Sequence, residues 1–328
     1  MRRRQFIAGL GGAAAWPVVA RAQQGARMRR IGVLRGAPSD DRRVPLSITT
    51  FEQSLQELGW TIGRNIQIDY RFGAGDPDLF RKYAAELVAL APEVILAEGS
   101  VAVQPLLEVT RVIPIVFAGI IDPIGRGFAA SLARPGGNVT GFSFFEFSLS
   151  GKWLALLKQI APRVTRVGVI RDPLNPTGTA QFAAIQSAAS SSGVELIPIG
   201  VRNADEIERE VTAFARGPNG GLIVTSNTLA FLHRDRIITL AARHKLPAVY
   251  PLRLYVTDGG LISYGPDSIA PFRLAAGYID RILKGERPAD LPIVQPTKFD
   301  LVINLKTAKA LGLNIPETLL ATADEVIQ

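Results

Sequence analysis

Arg30-Ile31-Gly32-Val33-Leu34-Arg35 returns as Arg166-Val167-Gly168-Val169-Ile170-Arg171. Both are short apolar runs of the kind buried in a parallel sheet that is covered on two faces. Downstream the two halves stay in step. Ser47 to Leu58 and Thr179 to Ser192 read as helices that stop before Gly59 and Gly193, and each leads to a second strand, Ile66 to Phe72 or Val194 to Val201. Asp78 to Leu90 and Asp205 to Arg216 begin with an acidic cap, carry apolar residues at helical spacing, and lead to the strands Val94 to Ala97 and Leu222 to Thr225. Ile113-Pro114-Ile115-Val116-Phe117 then answers Leu246-Pro247-Ala248-Val249-Tyr250, and Gly136-Gly137-Asn138-Val139-Thr140 answers Gly259-Gly260-Leu261-Ile262-Ser263.

Strand and helix in alternation require crossover connections, and these place helices on both faces of a parallel sheet. The expected fold class is therefore α/β, with two Rossmann-like lobes whose parallel sheets are flanked by helices. The paired glycines are read as hinge crossings, because a strand leaving one lobe for the other needs a permissive backbone. Asp267 to Lys284 has Ile269, Phe272, Ala276, Ile279 and Leu283 on one helical face and can return to cover the first lobe. A further crossing near Gln295 to Lys298 sends Phe299 to Asn304 and the helix Lys306 to Leu311 to the second lobe. The expected division is an export signal over 1–22, a first lobe from 28–142 plus 264–294, and a second from 143–263 plus 295–328, joined by three hinge crossings. Two independent domains in tandem would leave the C-terminal strand and helix without a sheet to join.

The chain has 328 residues and a formal net charge of +8, but Arg2, Arg3, Arg4 and Arg21 stand in a leader without acids, and the remainder carries +4. That charge is scattered and has no basic run with interleaved aromatics, which argues against a nucleic-acid partner. Met1 to Arg4 is basic, Phe6 to Ala20 is apolar, and Ala20-Arg21-Ala22 has the form signal peptidase reads, so an export signal is expected to be removed after Ala22. Arg3-Arg4-Gln5-Phe6-Ile7 has the form of a twin-arginine signal, with the general secretory route as the alternative. Either route leads out of the cytoplasm, to the periplasm. There is no cysteine, so disulfides, thiolate nucleophiles and Cys-bound metals are excluded. His233 and His244 are the only histidines, and they make a poor metal set. No phosphate-binding glycine loop or nucleophile elbow follows a strand, so no catalytic residue, metal or cofactor is expected.

Ligands of parallel sheets collect at the carboxyl ends of the strands. The candidate binding residues are therefore Arg35, Gly36, Gly99, Ser100 and Asp122 in the first lobe, with Asp172, Asn175, Asn227 and Thr228 in the second. Gly99-Ser100 opens a helix whose free N–H groups suit an anion, although a serine there can simply cap. Asp122, before Pro123, reads as a partner for a ligand amine or as a turn former. Asn175, in Asp172-Pro173-Leu174-Asn175-Pro176, presents an amide from a rigid loop or shapes that loop. Phe142, Phe144, Phe145 and Phe147 cluster at the first crossing, and strand alternation lets at most one pair face the cleft. Tyr250 and Tyr264 are aromatic candidates with a hydroxyl to place.

Three stretches carry a family resemblance: Ala133 to Gly141 (ARPGGNVTG), Gly260 to Asp267 (GLISYGPD) and Gln295 to Gly312 (QPTKFDLVINLKTAKALG). Together they resemble ABC transporter substrate-binding proteins of the tryptophan-binding-protein-like group, from about Arg29 to the C-terminus. The resemblance implies a type I periplasmic binding fold, a small ligand such as an amino acid or related carboxylate held between the lobes, and an ABC permease with its ATPase as partners. Such a protein touches the membrane only through its permease and works as a monomer. The rival expectations are a sensor that presents its closed form to a membrane receptor, and an α/β enzyme using cleft carboxylates such as Asp122 and Asp172.

Overall fold

The computed structural model describes residues 28–144, 147–173, 175–190 and 192–328. The expected export signal and Phe145 lie outside the described residues. The first half runs β1 (Arg29–Arg35), α1 (Arg43–Glu57), β2 (Ile66–Phe72), α2 (Pro77–Ala89), β3 (Val94–Glu98), α3 (Ser100–Val109), β4 (Ile115–Ile120) and β5 (Val139–Ser143). Its five strands lie in the order β2-β1-β3-β4-β5. All neighbours are parallel, with Val33 of β1 set between Tyr70 and Leu96. Local chemistry sets the helix starts. Asp76 caps α2 by accepting from the Asp78 and Leu79 N–H groups, and Pro77 fills a position where its missing N–H is harmless.

The second half runs α4 (Ser150–Ile160), β6 (Arg166–Arg171), α5 (Pro176–Ala189), β7 (Glu195–Gly200), α6 (Ala204–Phe214), β8 (Gly220–Val224), α7 (Thr228–Leu232), α8 (Arg234–Arg243), β9 (Ala248–Tyr250), α9 (Arg253–Thr257) and β10 (Ile262–Gly265). The chain then forms α10 (Ala270–Leu283), β11 (Asp300–Asn304), α11 (Leu305–Ala310), α12 (Glu317–Leu320) and β12 (Glu325–Ile327). The second sheet has seven strands in the order β12-β11-β10-β9-β8-β6-β7.

Three segments cross between the sheets. The first lies between β5 and α4. The second joins β10 to α10, whose Phe272, Ala276, Ile279 and Leu283 are buried against Ile31, Val33 and Val94 of the first lobe. Burial of a large apolar side chain is worth roughly 1.5–3 kcal/mol, so α10 belongs energetically to the first lobe although it follows the second sheet. The third follows Leu291 and Ile293, which the first lobe holds through the Thr140 hydroxyl (2.6 Å to the Leu291 carbonyl) and the Leu132 carbonyl (2.7 Å to the Ile293 N–H).

Three details differ from the sequence expectation. β11 pairs antiparallel with β10, because the third crossing enters the second sheet from the opposite end, and the short β12 then adds parallel to β11. Ser143 stays in the first sheet and Tyr264 and Gly265 in the second, so the chain leaves each sheet one or two residues later than expected. The paired glycines precede β5 and β10 instead of forming the crossings that follow those strands. Gly260 has a packing reason: a Cβ there would lie 2.7 Å from the Tyr250 ring and from the Tyr255 carbonyl oxygen.

Candidate functional site

The carboxyl ends of β1, β3 and β4 face those of β8 and β9 across a cavity of about 890 Å³, counting its open mouth. The structure brings Gly36, Gly99, Ser100, Asn175, Asn227 and Thr228 to its lining. Gly99 adopts φ 74°, a left-handed conformation suited to glycine, and no side chain caps α3, so the turn leaves the helix start facing the cavity. Asn227 and Asn175 both line the cavity and cap helices. Asn227 Oδ1 accepts from the Ala230 N–H at 2.7 Å, and Asn175 Oδ1 accepts from the Thr177 N–H at 3.1 Å.

The other candidates lie elsewhere. Arg35 is 1% exposed and sits behind the lining, donating to Glu98 and to the Ser47 hydroxyl, both at 2.8 Å, with its guanidinium over the Phe272 ring. Asp122 occupies a turn, accepts from the Gly125 N–H at 2.8 Å, and borders a neighbouring hollow with Gln104, Phe128 and Phe147. Asp172 is half-buried after β6 and lines neither space. Tyr250 is packed in the second core against Tyr255, and burial raises its hydroxyl pKa. Tyr264 packs against Phe299, and its carbonyl accepts from Trp153 Nε1 at 2.8 Å. Of the aromatic cluster, Phe144 lines the cavity, whereas Phe142 packs on Tyr278 in the first core.

Several lining residues escaped the sequence expectation because they do not directly follow strands. Arg43, in the first turn of α1, lays its guanidinium 3.7 Å from the centre of the Phe231 ring. Its two carboxylate neighbours, Asp41 and Glu98, are each 3.6 Å away. Burial lowers the Arg43 pKa against the opposing pull of those acids. Glu98 ends β3. Its Oε2 accepts from Arg35 Nε at 2.8 Å and from the Gly36 N–H at 3.1 Å. Burial alone would raise its pKa, but Arg35 and Arg43 outweigh that effect and hold the carboxyl at about 2. Phe144, Phe231, Tyr255 and Phe272 supply aromatic surface to the same space.

The two lobes are in contact around this cavity. Arg126 Nη2, from the first lobe, donates to Asn175 Oδ1 at 2.8 Å and to the Thr177 hydroxyl at 2.6 Å. Beside Arg43, Asp41 of the first lobe pairs with Arg234 of α8, which also pairs with Asp258 of its own lobe, both at 3.0 Å, and Arg42 reaches Asp258 at 3.4 Å. Asp41 and Arg234 are almost fully buried by this contact. Among the described residues no group of three or more potential metal ligands forms, and no helix is long and apolar enough to cross a membrane.

Comparison with known proteins gives these features a context. The family model for ABC transporter substrate binding protein matches residues 44–327. A tyrosine-binding protein of Clostridioides difficile (strain R20291) is 25% identical over 263 residues, covering 80% of this chain and 75% of the relative. A Streptococcus pneumoniae ABC domain solved in complex with L-Trp is 26% identical with a TM-score of 0.85, covering 92% of this chain and all of that one. A conserved domain protein from Vibrio cholerae is also 26% identical, with a TM-score of 0.84 and the same coverage.

Proposed function

The chain belongs to the ABC transporter substrate-binding protein family, and from that premise we propose that it is an extracytoplasmic solute-binding protein that captures an amino acid or related carboxylate between its lobes and delivers it to an ABC permease. The observation that carries this reading is the cavity at facing strand ends, lined from both lobes and bridged by Arg126 to Asn175 and Thr177. A ligand that touches both rims binds the closed arrangement better than the open one, and that difference is what drives closure. Closure in turn presents a new composite surface to a permease and, through it, couples to the permease's ATPase. The tryptophan and tyrosine named for the two relatives support a ligand of amino-acid size. The basic start, apolar stretch and Ala20-Arg21-Ala22 site support export to the periplasm. The chain performs no chemistry on its ligand.

A thermal-shift panel of amino acids, small peptides, aromatic acids and purines tests the reading. Saturation at a hundred times the dissociation constant adds about 2.7 kcal/mol of stability, an increase in Tm of roughly 5 °C for a chain of this size. A shift with one ligand class is expected. A flat response across the whole panel would contradict the proposal.

A further inference from the structure

We infer that Arg43 and Glu98 form a pair that reads both charges of one ligand, Arg43 receiving its carboxylate and Glu98 Oε1 its ammonium, and that this pair selects an α-amino acid over the related carboxylates. The inference rests on the capture reading above and narrows its ligand class.

Both side chains line the cavity from the first lobe, and each keeps polar atoms unused. Arg43 is only 12% exposed, its Nε is buried without a partner, and its guanidinium makes no hydrogen bond among the described residues. Phe231 covers one flat side of it, which leaves the in-plane N–H groups to recognise a planar anion. Glu98 divides its two oxygens. Oε2 accepts from Arg35 Nε and the Gly36 N–H, whereas Oε1 faces Arg43 Nη2 at 3.6 Å, beyond good hydrogen-bond distance. The two arginines hold the carboxyl at about 2, so it is ionised at neutral pH. An ammonium at Oε1 leaves Oε2 on the fully buried Arg35, and the core keeps its ion pair.

The spacing suits two charges carried on one carbon. Standard bond lengths put an α-ammonium and its carboxylate oxygens roughly 3 Å apart, so this dipole can lie antiparallel to the Arg43–Glu98 pair with each charge beside its opposite. An analogue with a single charge loses twice. A bare acid forgoes the Glu98 contact and sets its carboxylate near the Oε1 charge, and a bare amine forgoes Arg43 and meets its repulsion. Phe144, Phe231, Tyr255 and Phe272 supply aromatic surface for the ligand side chain.

The test removes one ligand charge at a time, by isothermal titration of the full chain. L-phenylalanine, L-tyrosine and L-tryptophan are each compared with the deaminated acid (phenylpropionate, hydroxyphenylpropionate, indolepropionate) and with the decarboxylated amine (phenethylamine, tyramine, tryptamine). At least one amino acid is expected to bind ~10- to 100-fold more tightly than both of its analogues. Glu98→Gln should bring the ratio of amino acid to acid close to one, and Arg43→Met the ratio of amino acid to amine. Each ratio is taken within one variant, so a loss of stability cancels, and Glu98→Asp and Arg43→Gln serve where the first variants do not fold. An acid that binds as tightly as its amino acid overturns the inference and leaves the capture reading intact. So does a ratio of amino acid to acid that survives Glu98→Gln unchanged. Failure of all nine compounds overturns the inference as well, and the broader thermal panel then decides the capture reading by itself.

Discussion

The first-lobe rim of the cavity carries Arg43, Glu98 and Arg126, with Arg35 directly behind, whereas among the described residues the polar groups of the second-lobe rim are neutral, Asn175, Thr177, Ser226, Asn227 and Thr228, beside apolar surface from Phe231, Leu252 and Tyr255. The first is a fixed charge pattern built into strand ends and the start of α1. The second is made of hydroxyls and amides, two of which already cap helices. On the proposed capture function, this division would give ligand charge to the first lobe and closure to the second, since neutral dipoles add hydrogen bonds on approach without the desolvation that a charge demands.

Substitutions on the two rims should therefore fail in different ways. The largest effect is expected on stability from Glu98→Gln, which leaves Arg35 buried without its anion and should lower unfolding free energy by ~3 kcal/mol at neutral pH, measured by denaturant titration. The same variant changes the acid response. Because the folded carboxyl is held at about 2, below its ordinary 4.5, its contribution is complete above pH 4.5 and is lost as pH falls toward 2. The Tm of the unmodified protein should thus fall faster across that window than that of the variant.

Next in size is Arg43→Met, expected to weaken the tightest-binding carboxylate by ~100-fold, whereas Thr228→Ala on the opposite rim should weaken it by less than ~10-fold. Equal losses would erase the division between the rims. A smaller effect, ~10-fold in affinity, is expected when Arg234→Met is combined with Asp41→Asn, which removes the Asp41–Arg234 ion pair and leaves Asp258 to Arg42. Small-angle scattering of the ligand-free variant should show a larger radius of gyration than that of the unmodified protein. An unchanged radius would mean that this ion pair does not hold the lobes together. The smallest change is expected from Asn227→Ala, which removes the cap of α7 and should lower stability by ~1 kcal/mol, read from the denaturation midpoint.

Much of the architecture was legible because a duplicated pattern repeats its own evidence. The runs at Arg30 and Arg166 both became interior strands, each one place in from an edge, and the apolar face at Phe272 and Ile279 returned to the first lobe. The antiparallel β11 was not legible, because apolar alternation carries no strand direction. Residues directly after strands, such as Gly36, Gly99 and Thr228, were reachable from the rule that ligands gather at strand ends. Arg43 was not, since an arginine in the first turn of a helix reads as solvated until Phe231 arrives from the other lobe to cover it. Tyr250 shows the opposite failure. It ends β9 as expected, but its side chain takes the core-facing side and stacks on Tyr255.

Native mass spectrometry of the protein taken directly from its native cells tests the central claim most directly. The account predicts one small organic acid per chain, released on denaturation and absent from the Arg43→Met variant prepared in the same way. A chain that emerges without any bound small molecule, and gains none when incubated with an extract of its growth medium, would contradict it.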